Sequence, residues 1–97
     1  MIYLTTDELK IVINIITTFI PQRKIIVFGS RSMGSVKKFS DLDLCIMGDE
    51  PLSLVEEATL REAFSESNLS FRVDIVSWAN LEQEFQTIII EQGQNLV

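Results

Sequence analysis

Two short apolar runs, Ile25-Ile26-Val27-Phe28 and Leu42-Asp43-Leu44-Cys45-Ile46-Met47, bracket the stretch that most constrains this chain. Both are too short for ordinary helices and are rich in residues that suit buried strands. The first ends at Gly29-Ser30, the second starts directly after Asp41, and ten residues lie between Ser30 and Asp41. Any fold built on these strands carries a glycine-hinged, hydroxyl-bearing turn at the end of one. It carries two carboxylates, Asp41 and Asp43, at the start of the next. A turn rich in N–H donors suits phosphate oxygens, and paired carboxylates suit magnesium, which takes hard oxygen ligands.

The remaining pattern alternates helices with strands. Thr5 and Glu8 have capping-box spacing, with Asp7 and Glu8 in the first turn, and Leu9, Val12, Ile13, Ile16, Phe19 and Ile20 follow at helical spacing up to Pro21. Ser30 to Val36 is a turn entering a short helix. Pro51 suits the first position of a helix over about 52–67, with Leu52, Val55, Thr59, Ala63 and Phe64 on its apolar face and Ser67-Asn68 closing it. A third strand covers Phe71 to Val76. A last helix starts near Ala79 or Asn80, capped by Asn80, with a core stripe of Leu81, Phe85, Ile88 and Ile89 and a stop at Gly93. The order is α-β-α-β-α-β-α. The fold class expected is α/β (α+β), a small mixed β-sheet flanked by helices, in one domain spanning residues 1–97.

Composition narrows the chemistry. The chain has 97 residues, a net charge of −6 and no histidine. That excludes histidine-based acid/base catalysis, the serine–histidine triad and most zinc sites. The acidic balance argues against direct nucleic-acid binding, which needs a basic footprint. No apolar stretch approaches the ~20 residues of a membrane span, and no secretion signal is evident. Cys45, the single cysteine, lies in an apolar run and reads as a small core residue, and a cytoplasmic setting is expected.

Asp41 and Asp43 are two apart on a strand, so both project to one face while Leu42 and Leu44 enter the core. Side by side they repel unless a cation sits between them. Asp74 lies inside a third apolar run, where a lone charge is costly. Either Arg72, on the same face, pairs with it, or it joins Asp41 and Asp43 as a third carboxylate. Three such groups are what two-metal phosphoryl or nucleotidyl transfer uses, and the third is a candidate proton acceptor. Gly29 permits a sharp turn, and Ser30 offers a hydroxyl and an N–H to a phosphate. Arg31 is either a cation for that phosphate or a surface residue. Lys37 and Lys38 either help to hold phosphates or form a solvated loop. Trp78 either stacks on a base or covers the core or an interface. Ile90 and the terminal Leu96-Val97 add apolar surface beyond one small core, which points to a partner. Neither a dinucleotide-binding nor a P-loop glycine pattern is present.

Taken together, Gly29-Ser30-Arg31-x-x-Gly34, Ser40-Asp41-Leu42-Asp43-Leu44, Val73-Asp74-Ile75-Val76 and Ile90-Glu91-Gln92-Gly93 resemble the polymerase β nucleotidyltransferase superfamily, in the minimal form found in prokaryotes. The resemblance implies a polymerase-β-like fold with its site at one sheet edge, and transfer of AMP from ATP with release of pyrophosphate. It places Gly29, Ser30, Arg31 and Ser40 at the nucleotide. Asp41 and Asp43 would bind two Mg2+ ions, and Asp74 would bind one and assist the nucleophile. It further implies an antitoxin of a toxin–antitoxin pair. The partner would be a HEPN-domain ribonuclease toxin, neutralised by AMP added to a tyrosine. An antitoxin that acts by binding alone, and transfer to a small molecule, are the alternatives. Met33 departs from the pattern, because the family often has a basic residue there.

Overall fold

The computed structural model describes residues 1–96. The chain runs α1 (Thr6–Phe19), β1 (Ile25–Phe28), α2 (Ser30–Met33), β2 (Leu42–Ile46), α3 (Leu54–Ser65), β3 (Val73–Ser77), a 3-10 turn (Trp78–Asn80), α4 (Gln83–Gln92) and β4 (Gln94–Asn95). The four strands form one sheet in the order β3-β2-β1-β4. β1 is antiparallel to both β2 and β4, and β2 is parallel to β3. The parallel pair needs a crossover, which α3 supplies. The mixed sheet flanked by helices is the fold expected from the sequence. The two-residue β4 was not foreseen, because a strand of that length leaves no periodicity to read.

Strand alternation sorts the sheet into two unlike faces. Leu42, Leu44 and Ile46 of β2 join Ile25 and Val27 of β1 and Ile75 of β3 in one core cluster, covered by Val12, Ile15 and Ile16 of α1 and Leu60 and Phe64 of α3. The opposite face carries the residues between them: Ile26 and Phe28, Asp43 and Cys45, Asp74 and Val76. α4 packs on this second face, over β1. Ile89 is fully buried, and Phe85 meets Phe28 edge-on with ring centroids 5.8 Å apart. A Cβ at Gly93 would overlap Ile26 Cγ2 and the Ile89 carbonyl, so Gly93 ends α4 by permitting close approach to β1, with an ordinary extended backbone. The face beside Asp43 and Asp74 is left open.

Several boundaries differ from expectation. α1 begins as foreseen, with the reciprocal Thr5–Glu8 bonds in place. α3 starts at Leu54 because Ser53 caps it: Ser53 Oγ accepts from Glu56 N–H at 3.1 Å, and Glu56 Oε1 accepts from Ser53 N–H at 2.9 Å. Pro51 and Leu52 therefore stay outside, and Leu52 N–H donates to the buried Ser77 Oγ at 3.0 Å. The buried face of α3 is Leu60 and Phe64, one helical turn apart, with Ala63 half-buried. Val55, expected on that face, is 76% exposed. Replacing Ser53 by alanine is expected to cost about 1 kcal/mol. On a domain this size that is a fall of roughly 4–8 °C in thermal midpoint, which calorimetry reads directly.

The last helix is corrected most. Asn80 lies in the 3-10 turn and does not cap α4, whose first residue is Gln83. Of the expected stripe only Ile89 is core; Phe85 and Ile88 are 41% and 48% exposed. α4 is buried against the sheet at Ile89, while Phe85 makes only the edge-on contact with Phe28, so its flank is covered in part. Trp78 is half-buried, and its carbonyl accepts from Gln86 Nε2 at 3.0 Å. Leu96 is buried in the core rather than offered as spare surface, and Val97 lies outside the described residues. β3 begins at Val73, with Phe71 buried just before it. Cys45 is fully buried, and burial pushes its thiol up to about 11, as an inert core residue should be.

Candidate active site

β1 ends on Gly29, which holds φ 74° and ψ −154°, a region that is essentially glycine-only. The turn passes straight into α2, which closes at Gly34 with φ 88°. A Cβ at Gly29 would overlap Asp43 Oδ2, so the Asp43 carboxylate rests directly against the turn backbone. This follows from register: Phe28 is the antiparallel partner of Asp43, and the next residue of β1 is Gly29. Ser30 stands half-buried at the first position of α2. The glycine–serine turn and the Asp41–Asp43 pair, separate in sequence, thus meet at one corner of the open face.

The parallel pairing supplies the third acid. Asp43 and Asp74 are register partners across β2 and β3. Asp41 is half-buried one residue before β2 begins. Burial raises the Asp43 carboxyl above its ordinary 3.8, and the neighbouring charges of Asp74 and then Asp41 raise it further. Asp43 therefore feels both neighbouring acids.

Asp74 is not the buried lone charge that its apolar run suggested. It lies on an edge strand, and Arg72 Nη2 is 3.3 Å from its Oδ1; the two side chains are 79% and 39% exposed. A pair so open to solvent is weak, typically under about 1 kcal/mol, and leaves Asp74 free to take another partner. A groove of about 440 Å3 runs along the outer edge of β3, past Arg61, Leu69, Phe71 and Arg72, and reaches Asp74. A separate apolar cavity between α1 and the β4 edge, lined by Ile13, Ile16, Pro21, Ile25 and Leu96, lies among core residues away from the acids.

Arg31 requires correction. It is neither a surface residue nor free for a phosphate: it is only 4% exposed. Its Nε donates to Ser40 O at 2.9 Å, Nη1 to Tyr3 O at 2.9 Å, and Nη2 to Lys38 O at 3.4 Å. Its guanidinium carbon lies 3.9 Å from the centroid of the Phe71 ring. The expected nucleotide role of Ser40 is also qualified, since its Oγ accepts from Lys37 N–H at 2.8 Å and helps shape the loop before Asp41. Lys37 and Lys38 are exposed on that loop, as expected.

Sequence reasoning missed Ser32. It is buried, its Oγ donates to Gln92 O at 2.6 Å, and its own carbonyl accepts from Gln94 Nε2 at 2.7 Å. These bonds tie α2 to the end of α4 and so fix the turn against the second half of the chain. Contacts across 60 residues leave no local signal in the sequence.

All three carboxylates are hard oxygen donors, and no histidine competes with them. Among the described residues, no three acidic or sulfur ligands form a ready-made ion cage. Magnesium commonly uses one or two carboxylates and completes its shell with water and substrate phosphates. Burial, and after it the charges of Asp74 and Asp41, disfavour an ionised Asp43; a divalent cation would favour it, so the residues fit such an ion.

Comparison with known proteins identifies the family. Residues 10–97 match the family model described as Polymerase beta, Nucleotidyltransferase. The probable protein adenylyltransferase MntA of Haemophilus influenzae is 45% identical over 84 residues, covering 87% of this chain and 74% of that protein. The crystal structure of a toxin–antitoxin with AMP-PNP superposes with a TM-score of 0.77 at 24% identity, over 92% of this chain and 72% of that one. A complex of a tri-AMPylated Shewanella oneidensis HEPN toxin with MNT antitoxin gives a TM-score of 0.68 at 22% identity, over 92% and 68% of the two chains. At those identities the two structures are likenesses of fold.

Proposed function

The chain belongs to the polymerase β nucleotidyltransferase family, and from that premise we propose that it transfers AMP from ATP to a hydroxyl of a partner protein, a HEPN-domain toxin for which it is the antitoxin. The observation that carries this reading is the pairing of Asp43 with Asp74 across parallel strands, beside Asp41 and against the Gly29 turn. Further support comes from the relative that bears the name protein adenylyltransferase and from the fold shared with an antitoxin bound to an AMPylated HEPN toxin. A cytoplasmic setting accords with the unpaired, buried cysteine.

In this reading the Gly29-Ser30 turn receives the triphosphate. Asp41 and Asp43 would hold Mg2+, two ions by the family's pattern, with Asp74 on one of them; when bound, the ions would offset negative charge on the phosphates and on the acids. The acceptor hydroxyl enters from the groove along β3. Its oxygen forms a bond to the α-phosphorus, the bond from that phosphorus to the bridging oxygen breaks, and pyrophosphate leaves. The hydroxyl proton passes to the Asp74 carboxylate, which exchanges Arg72 for the incoming group.

The test is incubation with α-labelled ATP, Mg2+ and the protein encoded by the neighbouring gene. Label is expected on that protein, on a hydroxyl side chain, and only with the metal present. Undiminished labelling by an Asp41→Ala variant would overturn the assigned site. One observation favours a second reading, neutralisation by binding alone: Met33, where the family often has a cation, is exposed and uncharged. Full neutralisation by an Asp41→Asn, Asp43→Asn double variant would establish that reading.

A further inference from the structure

Arg31 is a buried cation that the proposed chemistry does not use, and its contacts are unusual in where they lead. Among the described residues it has no acidic partner; its guanidinium is satisfied by backbone carbonyls of two other segments and by one aromatic face. The Ser40 carbonyl that it holds belongs to the residue immediately before Asp41. The Phe71 ring that it stacks on lies three residues before Asp74. Leu42 N–H donates to Arg72 O at 2.9 Å, joining the starts of the two acid-bearing strands between those points. Its own backbone sits in the turn after Gly29, and Tyr3 N–H donates to its carbonyl at 2.8 Å. One side chain therefore spans the phosphate turn, the loop leading to Asp41 and the segment leading to Asp74.

We propose that Arg31 is a positioning residue that sets the spacing of Asp41 and Asp74 for the metal ions, acting through the Ser40 carbonyl and the Phe71 ring. The inference rests on the nucleotidyltransferase reading and adds to it the device that holds the carboxylates in place. A planar fork with donors on three nitrogens is suited to this, because it makes several bonds in fixed relative directions. A lysine offers a point charge and cannot reproduce the fork or the flat stack. Asp41 lies outside regular structure, so its placement depends on the loop that Arg31 anchors.

The experiment measures Mn2+ binding by electron paramagnetic resonance, with a non-hydrolysable ATP analogue, at 10 °C, where circular dichroism verifies that each variant is folded. Arg31→Met is expected to weaken Mn2+ binding about tenfold and, because small misplacements of reacting groups are costly, to lower kcat for AMP transfer about a hundredfold. The KM for ATP is expected to change less than kcat, since Gly29 and Ser30 are untouched. Arg31→Lys should recover only part of both losses. Phe71→Leu keeps apolar volume while removing the stack; it should shift Mn2+ binding the same way by a smaller factor, and it serves if Arg31→Met fails to fold. A folded variant with wild-type Mn2+ affinity and kcat would show that Arg31 serves stability alone and would overturn the inference. Wild-type protein that binds neither Mn2+ nor nucleotide would instead overturn the transferase reading, and this inference with it.

Discussion

Replacing Asp43 by asparagine is expected to lower AMP transfer about a thousandfold, the loss of several kcal/mol of transition-state stabilisation. The same substitution is expected to raise the thermal midpoint of the nucleotide-free protein at neutral pH. Both effects have one cause. Burial and the charges of Asp74 and Asp41 raise the Asp43 carboxyl above its unfolded value, so folding disfavours its ionised form. That penalty is fully present above the folded pKa and is relieved as pH falls through it toward 3.8. The advantage of Asp43→Asn in thermal midpoint should therefore be present at pH 7 and shrink as the pH approaches 4. Added Mg2+ with an ATP analogue should stabilise the wild-type protein and leave the variant nearly unchanged. Thermal scans across pH, paired with labelling assays, read both. A variant that is less stable at neutral pH, or one that still transfers AMP at the wild-type rate, would contradict the account. A destabilised ground state at the site of reaction is a common cost of function.

The second large effect belongs to Gly29. Gly29→Ala forces an L-residue into a glycine-only backbone region, costing about 1–3 kcal/mol. It also drives a methyl group into Asp43 Oδ2. The carboxylate cannot stay against the turn, so the variant loses the acid's position as well as stability. The expected result is a thermal midpoint lower by about 10 °C and transfer reduced at least about a hundredfold even where the protein is fully folded. Gly34→Ala supplies the control. Its φ of 88° lies in the left-handed helical region, so it also incurs backbone strain, milder than at Gly29, and its added Cβ would meet the Tyr3 side chain rather than a carboxylate. Destabilisation with much smaller loss of activity, measured well below both midpoints, would separate the Asp43 contact from strain.

Much of the site was legible because its signals are local. A glycine and serine ending one strand, and Asp-x-Asp opening the next, announce their chemistry within about fifteen residues. Both strands are apolar enough to be recognised without a partner. The capping boxes at Thr5 and Ser53 are equally local, and at α3 the Ser53 box prevails over the start that Pro51 offers. What misled was the assumption that an apolar residue at helical spacing is buried. Phe85 and Ile88 have the right periodicity, yet α4 buries only Ile89 against the sheet; Phe85 meets Phe28 at the sheet's margin and, like Ile88, stays largely exposed.

The amino-acid sequence alone determined the alternation of the longer elements and singled out the candidate acids, because periodicity, capping and charge are properties of neighbouring residues. The tertiary structure decided the rest. Register brought Asp74 opposite Asp43, and the strand order made β3 an edge, so that Asp74 is paired and half-open instead of buried. Packing turned Arg31 from a candidate phosphate ligand into an internal strut joining three distant segments. Those outcomes depend on which surfaces meet, and hydrogen bonds between residues dozens of positions apart carry no trace in the local pattern that a sequence displays.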